Sequence, residues 1–274
     1  MKSAQVISRL LMRAIGLWLL CLCLPYPATA VERILALSPH VCEILYAIGA
    51  GDEVVGAVDY CDYPAAARHV PRVGNYTGIN LEAALMLKPT MAIISGTSRQ
   101  REQLQALGIR VVRSAPQSVD DVLVDIRRLG RLTGHAREAN ALAENIQLRL
   151  DHQAKIRRKR PIRVFYEIWN DPLQTVGGKG FINDLLQRAG LINVFASIPL
   201  ETPRTNLESV LRAAPDVVII PSEHRDVAAR ARYWKRWLGK DVRIIVVNPD
   251  LIHRPGPRII DGIEALQKAL EQQP

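Results

Sequence analysis

The chain has 274 residues, 48% of them hydrophobic and 23% charged, which is enough material for two lobes with their own cores. Its 36 Lys and Arg against 27 Asp and Glu give a formal net charge of +9. No nucleic-acid recognition motif accompanies this charge, so we exclude nucleic acid as a partner. A solvated basic face is the simpler interpretation, and an anionic ligand or membrane surface is the alternative.

Residues 1–30 have the organisation of a secretory signal peptide. Three basic side chains precede an apolar run at residues 15–24, and Ala28-Thr29-Ala30 forms a small-x-small cleavage site. The run is shorter than the roughly 20 residues that a membrane span needs, which leaves an uncleaved anchor as the lesser alternative. The mature protein is therefore expected to begin at Val31 in a bacterial periplasm. It keeps 33 basic side chains (36 − 3) against 27 acidic ones, a charge of +6.

Residues 31–117 are predicted to form the N-terminal lobe. Short apolar runs predict strands at residues 33–37, 54–58, 91–95 and 110–113. Periodic apolar positions and capping residues predict helices at residues 41–48, 81–87 and 103–107. Strands that alternate with helices predict a mainly parallel sheet with crossover helices.

Residues 118–160 keep a helical period for nearly forty residues and are predicted to be a stiff connecting segment, which Thr133-Gly134 breaks or bends. Two ordinary surface helices of the first lobe are the alternative. Residues 161–274 then repeat the earlier order as a C-terminal lobe. Its strands are predicted at 163–168, 217–220 and 242–247, and its helices at 181–189, 207–213, 233–238 and 258–270.

One pattern occurs twice in the chain at a constant shift of 126 residues. That spacing is too long for a solenoid repeat, whose period is roughly 20–50 residues, and it suits two duplicated lobes. Chance similarity between two helix–Pro–strand junctions is the alternative. Asn80-Leu81-Glu82 precedes Leu85, Pro89, Ile93 and Ile94, and Asn206-Leu207-Glu208 precedes Leu211, Pro215, Ile219 and Ile220. The predicted fold is α/β, with two Rossmann-like lobes joined by one long α-helix and a groove between them.

Loops at the carboxyl ends of parallel strands are where ligands bind in such sheets, and several of the few aromatic residues fall there. Aromatic rings offer large rigid contact areas to flat apolar ligands. An arginine can hold a phosphate or carboxylate, and a histidine can ligate a metal, although His253 can equally be an ordinary solvated histidine. The candidate ligand-binding residues are Tyr60, Tyr76, Trp169, Asp250, Leu251, Ile252, His253 and Arg254.

Signals for catalysis and metal binding are weak. Gly177-Gly178-Lys179-Gly180 lacks the upstream glycine and the following Ser or Thr of a P-loop. His40 and Glu43 lie one helical turn apart without a third ligand. We therefore predict no catalytic residue, no metal site and no cofactor. A secreted enzyme acting in the groove, or a metal chaperone, is the alternative from another class.

Two pairs of residues have further possible roles. Cys42 and Cys61 remain after cleavage, and an even count in an oxidising compartment permits a disulfide, with two free or buried thiols as the alternative. Glu82 and Glu208 occupy equivalent first turns of the repeated helices. A carboxylate there is favoured by the helix dipole, so a capping role competes with presentation of a matched acidic pair to a basic, two-fold partner.

Several motifs together resemble the substrate-binding proteins of bacterial ABC importers, in the class whose lobes are joined by a long helix and which serves cobalamin, haem and ferric siderophores. The Tyr60 loop and the Asp250–Arg254 segment resemble the cobalamin-binding members most. The motifs on which this resemblance rests are Ser38-Pro39 with Glu43, Tyr60-Cys61-Asp62-Tyr63-Pro64, Gly78-Ile79-Asn80-Leu81-Glu82, Lys88-Pro89, Asn206-Leu207-Glu208, and Asp250 through Arg254 followed by Pro257-Arg258-Ile259-Ile260.

The resemblance implies a monomeric carrier of cobalamin as a transported ligand. Tyr60 would contact the corrin, and residues 250–254 would line the pocket from the other lobe. Glu82 and Glu208 would dock to arginines on a permease dimer that works with ATPase subunits. Tyr76 and Thr202 occupy positions where members of the class often have a tryptophan. Trp169 is the candidate that would compensate for these missing tryptophan rings. A haem or ferric-siderophore receptor is the alternative within the class.

Overall fold

A computed structural model describes residues 32–75, 77–156, 160–224 and 226–272 of the chain. The signal-peptide prediction, Tyr76 and most of the Arg157-Arg158-Lys159-Arg160 cluster lie outside the described residues. Within the described ranges, no helix combines the length and the apolar character that crossing a membrane requires.

The first lobe is a five-stranded sheet with strand order β3-β2-β1-β4-β5, and all of its pairings are parallel. The predicted alternation of strands and helices is confirmed, and the three-residue strand β3 is an addition. The elements are β1 (Ile34–Ala36), α1 (Pro39–Ala47), β2 (Val54–Val58), β3 (Arg72–Gly74), α2 (Leu81–Met86), β4 (Met91–Ile94), α3 (Ser98–Ala106) and β5 (Arg110–Arg113).

The second lobe repeats this plan with strand order β10-β9-β6-β7, and β8 pairs with the first residues of β6. Among the strands that the structure describes in this lobe, β7 alone runs antiparallel, as a hairpin with the end of β6 in a region predicted to be loop. The elements are β6 (Ile162–Asn170), β7 (Leu173–Thr175), α6 (Phe181–Arg188), β8 (Leu191–Asn193), α7 (Leu207–Ala213), β9 (Val217–Pro221), α8 (Val227–Leu238), β10 (Arg243–Val247), α9 (Pro249–Ile252) and α10 (Ile259–Gln272).

The connecting segment consists of two helices, α4 (Val119–Leu132) and α5 (Ala136–Gln153), and not of one continuous helix. The break falls at the predicted position, because Gly134 adopts φ +79°, a left-handed conformation that ends a helix. The two helices pack closely, since a Cβ on Gly130 would lie 2.2 Å from the Cβ of Ala139. Helix α4 contacts α1 of the first lobe and α6 of the second, so the segment bridges the lobes.

The internal repeat is visible in two equivalent hydrogen bonds from arginine side chains to backbone carbonyls. An arginine at the start of each lobe's first strand caps the end of the repeated helix. Arg33 Nη2 donates to the Leu87 carbonyl at 2.7 Å, and Arg163 Nη2 donates to the Ala213 carbonyl at 2.8 Å. Leu87 and Ala213 are 126 residues apart, as the sequence repeat requires. The pattern therefore reflects equivalent structure and not a chance match.

A left-handed residue lies just after each of these helices, two residues after the end of α2 and directly after the end of α7. Lys88 has φ +47° and Ala214 has φ +43°, and each precedes a proline, Pro89 or Pro215. A proline disfavours the right-handed helical conformation at the residue before it, which ends the helix there. The same chain reversal then leads into β4 in the first lobe and β9 in the second.

A single hydrophobic core runs through both lobes and the connecting helices. Its members come from one face of each sheet and from α1, α4 and α10, for example Ile93, Ile126, Val164, Ile219 and Ile263. The opposite face of each sheet packs in its own smaller cluster. Because the lobes share one core, hinge motion between them requires rearrangement of buried side chains.

The predicted disulfide is formed in the structure. Cys42 on α1 is bonded to Cys61, which follows β2, and their Cα atoms are 5.8 Å apart. The bond ties α1 to the loop that carries Tyr60 and Asp62, at the carboxyl end of the first sheet.

Candidate functional site

The candidate site is the cleft between the carboxyl ends of the two sheets. Here the cleft means the loops after β1, β2 and β4 of the first lobe and after β6, β9 and β10 of the second. The two sets of loops meet, because Arg254 of the second lobe bonds Glu43 and Asp62 of the first. The rule that ligands bind at strand carboxyl ends therefore indicates a site shared by both lobes.

Arg254 is the centre of an ion cluster between the lobes. Its side chain is 11% exposed, and it contacts Glu43 at 3.0 Å, Asp62 at 2.8 Å and Asp250 at 2.7 Å. Burial alone would raise the pKa of Asp62, but the hydrogen bond and charge of Arg254 outweigh it and lower that pKa. The guanidinium was expected to hold an anionic group of the ligand. In the structure its donors serve three carboxylates of the protein itself.

Arg258 completes the cluster. It binds the carboxylate of Glu43 in a bidentate manner, at 2.6 and 2.9 Å, and lies 4.0 Å from the centre of the Tyr63 ring. The hydrogen bonds that Arg258 donates to Glu43 are the largest influence on the pKa of Arg258 and raise it. Glu43 is thus a buried acceptor from the first lobe for two arginines of the second, which joins the lobes at the base of the cleft.

Two aromatic rings of the predicted site are exposed, one at each sheet. Tyr60, after β2, is 61% exposed, and Trp169, near the end of β6, is 51% exposed. Tyr60 has φ +64°, a left-handed conformation that a residue with this side chain rarely adopts and that is enriched at functional sites. Trp169 is oriented by a 2.8 Å hydrogen bond from Nε1 to the Asp171 carbonyl.

Two depressions open at these strand ends. The first has a volume of about 210 Å³ and lies in the first lobe, where Tyr60 is part of its wall. The second, about 180 Å³, lies mainly in the second lobe, with Thr202 and His253 in its wall. Pockets that enclose a whole drug-sized ligand measure roughly 300–1,000 Å³. Each depression therefore suits one part of a large ligand that spans the cleft.

The segment from Asp250 to Arg254 divides between cleft and core. The short helix α9 turns Ile252 into the shared core, where it is 1% exposed, and Leu251 lines a small apolar crevice beside β10. Only Asp250, His253 and Arg254 reach the cleft side, because successive residues of a helix point about 100° apart. In the structure Ile252 therefore lies in the core, and Leu251 lies in the crevice beside β10.

His253 is held by a buried tyrosine. Its Nε2 lies 2.9 Å from the hydroxyl of Tyr166, which is fully buried in β6. Burial lowers the pKa of His253 to about 4, so the imidazole is neutral at neutral pH. A neutral ring in the wall of the second depression offers hydrogen bonds without charge.

A buried network beneath Trp169 has no signal in the local sequence. Glu167, fully buried in β6, accepts hydrogen bonds from Arg230 at 2.7 and 2.8 Å and from Trp234 Nε1. His224 lies 4.0 Å from the same carboxylate, and its ring faces that of Trp169 at 6.1 Å. Glu167 belongs to a predicted strand, and its carboxylate joins β6 to Arg230 and Trp234 of α8 two residues before the exposed Trp169.

The proposed docking pair occupies equivalent positions on the two lobes. Asn80 and Asn206 cap helices α2 and α7 through their side chains, which places Glu82 and Glu208 in the exposed first turns. Glu208 pairs with Arg212 at 2.6 Å, whereas the equivalent of Arg212 in the first lobe is Met86. Within the described residues Glu82 has no ion pair. Both carboxylates are accessible to a partner.

The weak metal signal at His40 and Glu43 has a structural explanation. His40 Nε2 lies 2.9 Å from Ser114 Oγ in the interior, and burial lowers the pKa of His40 to about 4. Glu43 is bound by the two arginines. In the described part of the chain, no group of three or more His, Cys, Asp or Glu side chains is arranged to hold a metal ion.

Comparison with known proteins gives consistent results. The family of periplasmic binding proteins matches residues 34–231. A vitamin B12-binding protein of Photorhabdus laumondii is 33% identical over 242 residues, 87% of each chain. The crystal structure of the periplasmic vitamin B12-binding protein of Vibrio cholerae superposes with a TM-score of 0.78 at 28% identity, covering 88% of this chain and 97% of that one. The apo haem-binding protein of Roseiflexus sp. RS-1 has a TM-score of 0.79 at 24% identity, with 89% and 99% covered, and shares the fold.

Proposed function

The chain belongs to the family of periplasmic binding proteins, and from this we propose that it captures cobalamin or a related corrinoid in its cleft. It then delivers the ligand to the permease dimer of an ABC importer, which works with ATPase subunits. The observation that carries the proposal is the pair of exposed rings, Tyr60 and Trp169, one at each sheet's carboxyl end. Such rings suit a flat, largely apolar macrocycle that both lobes contact.

The ion pairs that the cleft arginines already make favour a corrinoid over haem, which is the second candidate ligand. Haem carries two propionate groups, and an anionic ligand is usually held by cations. Arg254 and Arg258 are already bound to Glu43, Asp62 and Asp250. Cobalamin carries neutral amide groups around its ring and needs no such cations. A saturable shift of the Soret band when haem is titrated with the protein would support the haem alternative.

We also propose a domain organisation and a cellular location for this protein. We propose that residues 1–30 are a cleaved signal peptide that directs a monomer to the periplasm. The N-terminal lobe then comprises residues 31–117, the connecting segment 118–160 and the C-terminal lobe 161–274. On the side of the second lobe, the cleft is bordered by Asp250, His253 and Arg254. Tyr76 belongs to the same proposed site.

Replacing either ring by alanine is expected to weaken cobalamin binding. Tyr60→Ala and Trp169→Ala should each lower the affinity by about 1–3 kcal/mol, the range for aromatic anchors of an interface. Titration calorimetry with cyanocobalamin measures the change. Trp237→Ala is a matched control, because Trp237 is 47% exposed on α8, at the end remote from the strand carboxyl ends. Unchanged affinity in both cleft variants would remove these rings from the site.

A further inference from the structure

The depression in the first lobe has a largely apolar wall that also contains several polar side chains. It lies at the carboxyl ends of β1, β2 and β4 beside Tyr60. Ser38 Oγ and Ser95 Oγ lie 2.7 Å apart in its wall, and Ser38 Oγ also donates to the Leu37 carbonyl. The other polar side chains there are Asp59, Tyr60, Asn75 and Gln100, and no described Lys or Arg lines it. Apart from the Tyr60 hydroxyl, its hydrogen-bonding character therefore depends on Asp59, Asn75 and Gln100.

The side-chain amides of Asn75 and Gln100 are oriented by the backbone. Asn75 Oδ1 accepts hydrogen bonds from the amides of Thr77, at 2.9 Å, and Gly78, at 3.3 Å. Gln100 Oε1 accepts from the Thr97 amide at 3.1 Å within the capping box of α3. A backbone N–H requires an acceptor, so these bonds fix which end of each side chain is oxygen. The NH₂ groups remain as donors without a partner among the described residues.

Asp59 adds a carboxylate that can accept hydrogen bonds. It follows β2, is exposed, and makes no ion pair or side-chain hydrogen bond with any residue that the structure describes. The ionised carboxylate can only accept hydrogen bonds. The residues that line the depression therefore include two side-chain NH₂ donors without a described partner and one carboxylate acceptor.

We propose that this depression is a subsite for a primary amide substituent of the ligand, with Asp59 as its specificity-determining residue. The amide carbonyl accepts from Asn75 or Gln100, and the amide NH₂ donates to Asp59. A carboxylate at the same position of the ligand satisfies the donors but is repelled by Asp59, since like charges in contact are unfavourable. The inference rests on the proposed function, because cobalamin carries primary amides around its ring.

The test compares cyanocobalamin with its separated monocarboxylic acid derivatives, in which one peripheral amide is hydrolysed. Calorimetry at constant pH and salt gives the affinity of each ligand for the wild-type protein and for Asp59→Asn. For at least one isomer we expect the wild type to bind the acid about tenfold more weakly than cyanocobalamin. In Asp59→Asn the ratio for that isomer should fall to about twofold.

Asp52→Asn is the matched control, since Asp52 is an exposed acid before the amino end of the same strand, β2. It should leave the ratio at the wild-type value. Gln100→Glu tests the donors: a glutamate keeps the capping-box acceptor but removes the NH₂ group. It should weaken cyanocobalamin binding several-fold.

The outcomes separate the inference from the proposed function. Wild-type protein that binds no cyanocobalamin overturns the proposed function. Cyanocobalamin binding in which no isomer is discriminated, or in which Asp59→Asn leaves the ratio unchanged, overturns the subsite alone. A ratio that falls equally in Asp59→Asn and Asp52→Asn also overturns it, because the effect is then one of net charge.

Discussion

Glu43→Gln is expected to lower the free energy of unfolding by about 3 kcal/mol, because removing one partner of a buried ion pair leaves an uncompensated charge. The side chain of Glu43 is 2% exposed and is the bidentate partner of Arg258, which is itself largely buried. Arg254 keeps Asp62 and Asp250, which places the loss at the lower end of the usual range. Urea denaturation followed by circular dichroism measures it.

Glu208→Gln provides the comparison for this variant. Its ion pair with Arg212 lies on the surface, where both side chains are more than three-quarters exposed. Such helix pairs contribute at most about 0.5 kcal/mol, so the free energy of unfolding should barely change. Equal losses in the two variants would contradict the role of Glu43 as the ionic link between the lobes.

The double charge reversal Glu82→Lys and Glu208→Lys is expected to abolish transport and to leave cobalamin affinity unchanged. The two carboxylates stand at equivalent exposed positions, one per lobe, and a permease dimer offers two equivalent surfaces. Lysine in both places turns attraction to basic docking sites into repulsion. Cobalamin uptake into proteoliposomes that contain the importer measures transport, and calorimetry measures binding.

Two single variants and one control refine this experiment. Glu82→Lys removes a carboxylate without an ion pair in the described structure, whereas Glu208→Lys also disrupts a pair with Arg212. Glu271→Lys, an exposed acid near the end of α10, controls for the change in net charge. Normal uptake by the double variant would exclude docking through these two residues.

Most of the fold was predictable because the residue patterns that indicate each helix and strand lie within that element's own sequence. The strands β2 and β5 and helix α7 have the predicted bounds, and the repeated helix is capped by Asn80 and Asn206 as expected. The strands β3, β7 and β8 were not predicted, since three residues carry too little pattern to distinguish a strand from a loop. The break of the connector at Gly134 was visible, but its consequence, two packed helices, depends on tertiary contacts.

The site was less predictable because its electrostatics join residues far apart in sequence. Glu43 and Arg258 are separated by 215 positions, and Glu167 and Arg230 by 63. The sequence identified Arg254 as a candidate anion binder but gave no indication that three carboxylates of the chain already surround it. Likewise Ile252 belongs to a plausible pocket segment, yet the turn of α9 places it in the core.

Native mass spectrometry with competing ligands shows whether the cleft holds one corrinoid. The mature protein is mixed with equimolar cyanocobalamin, haem and a ferric siderophore, and the bound species are weighed. We expect a single adduct of one cyanocobalamin per chain that persists in the presence of the other two. A haem or siderophore adduct that displaces cyanocobalamin, or a protein that remains unliganded, would contradict it.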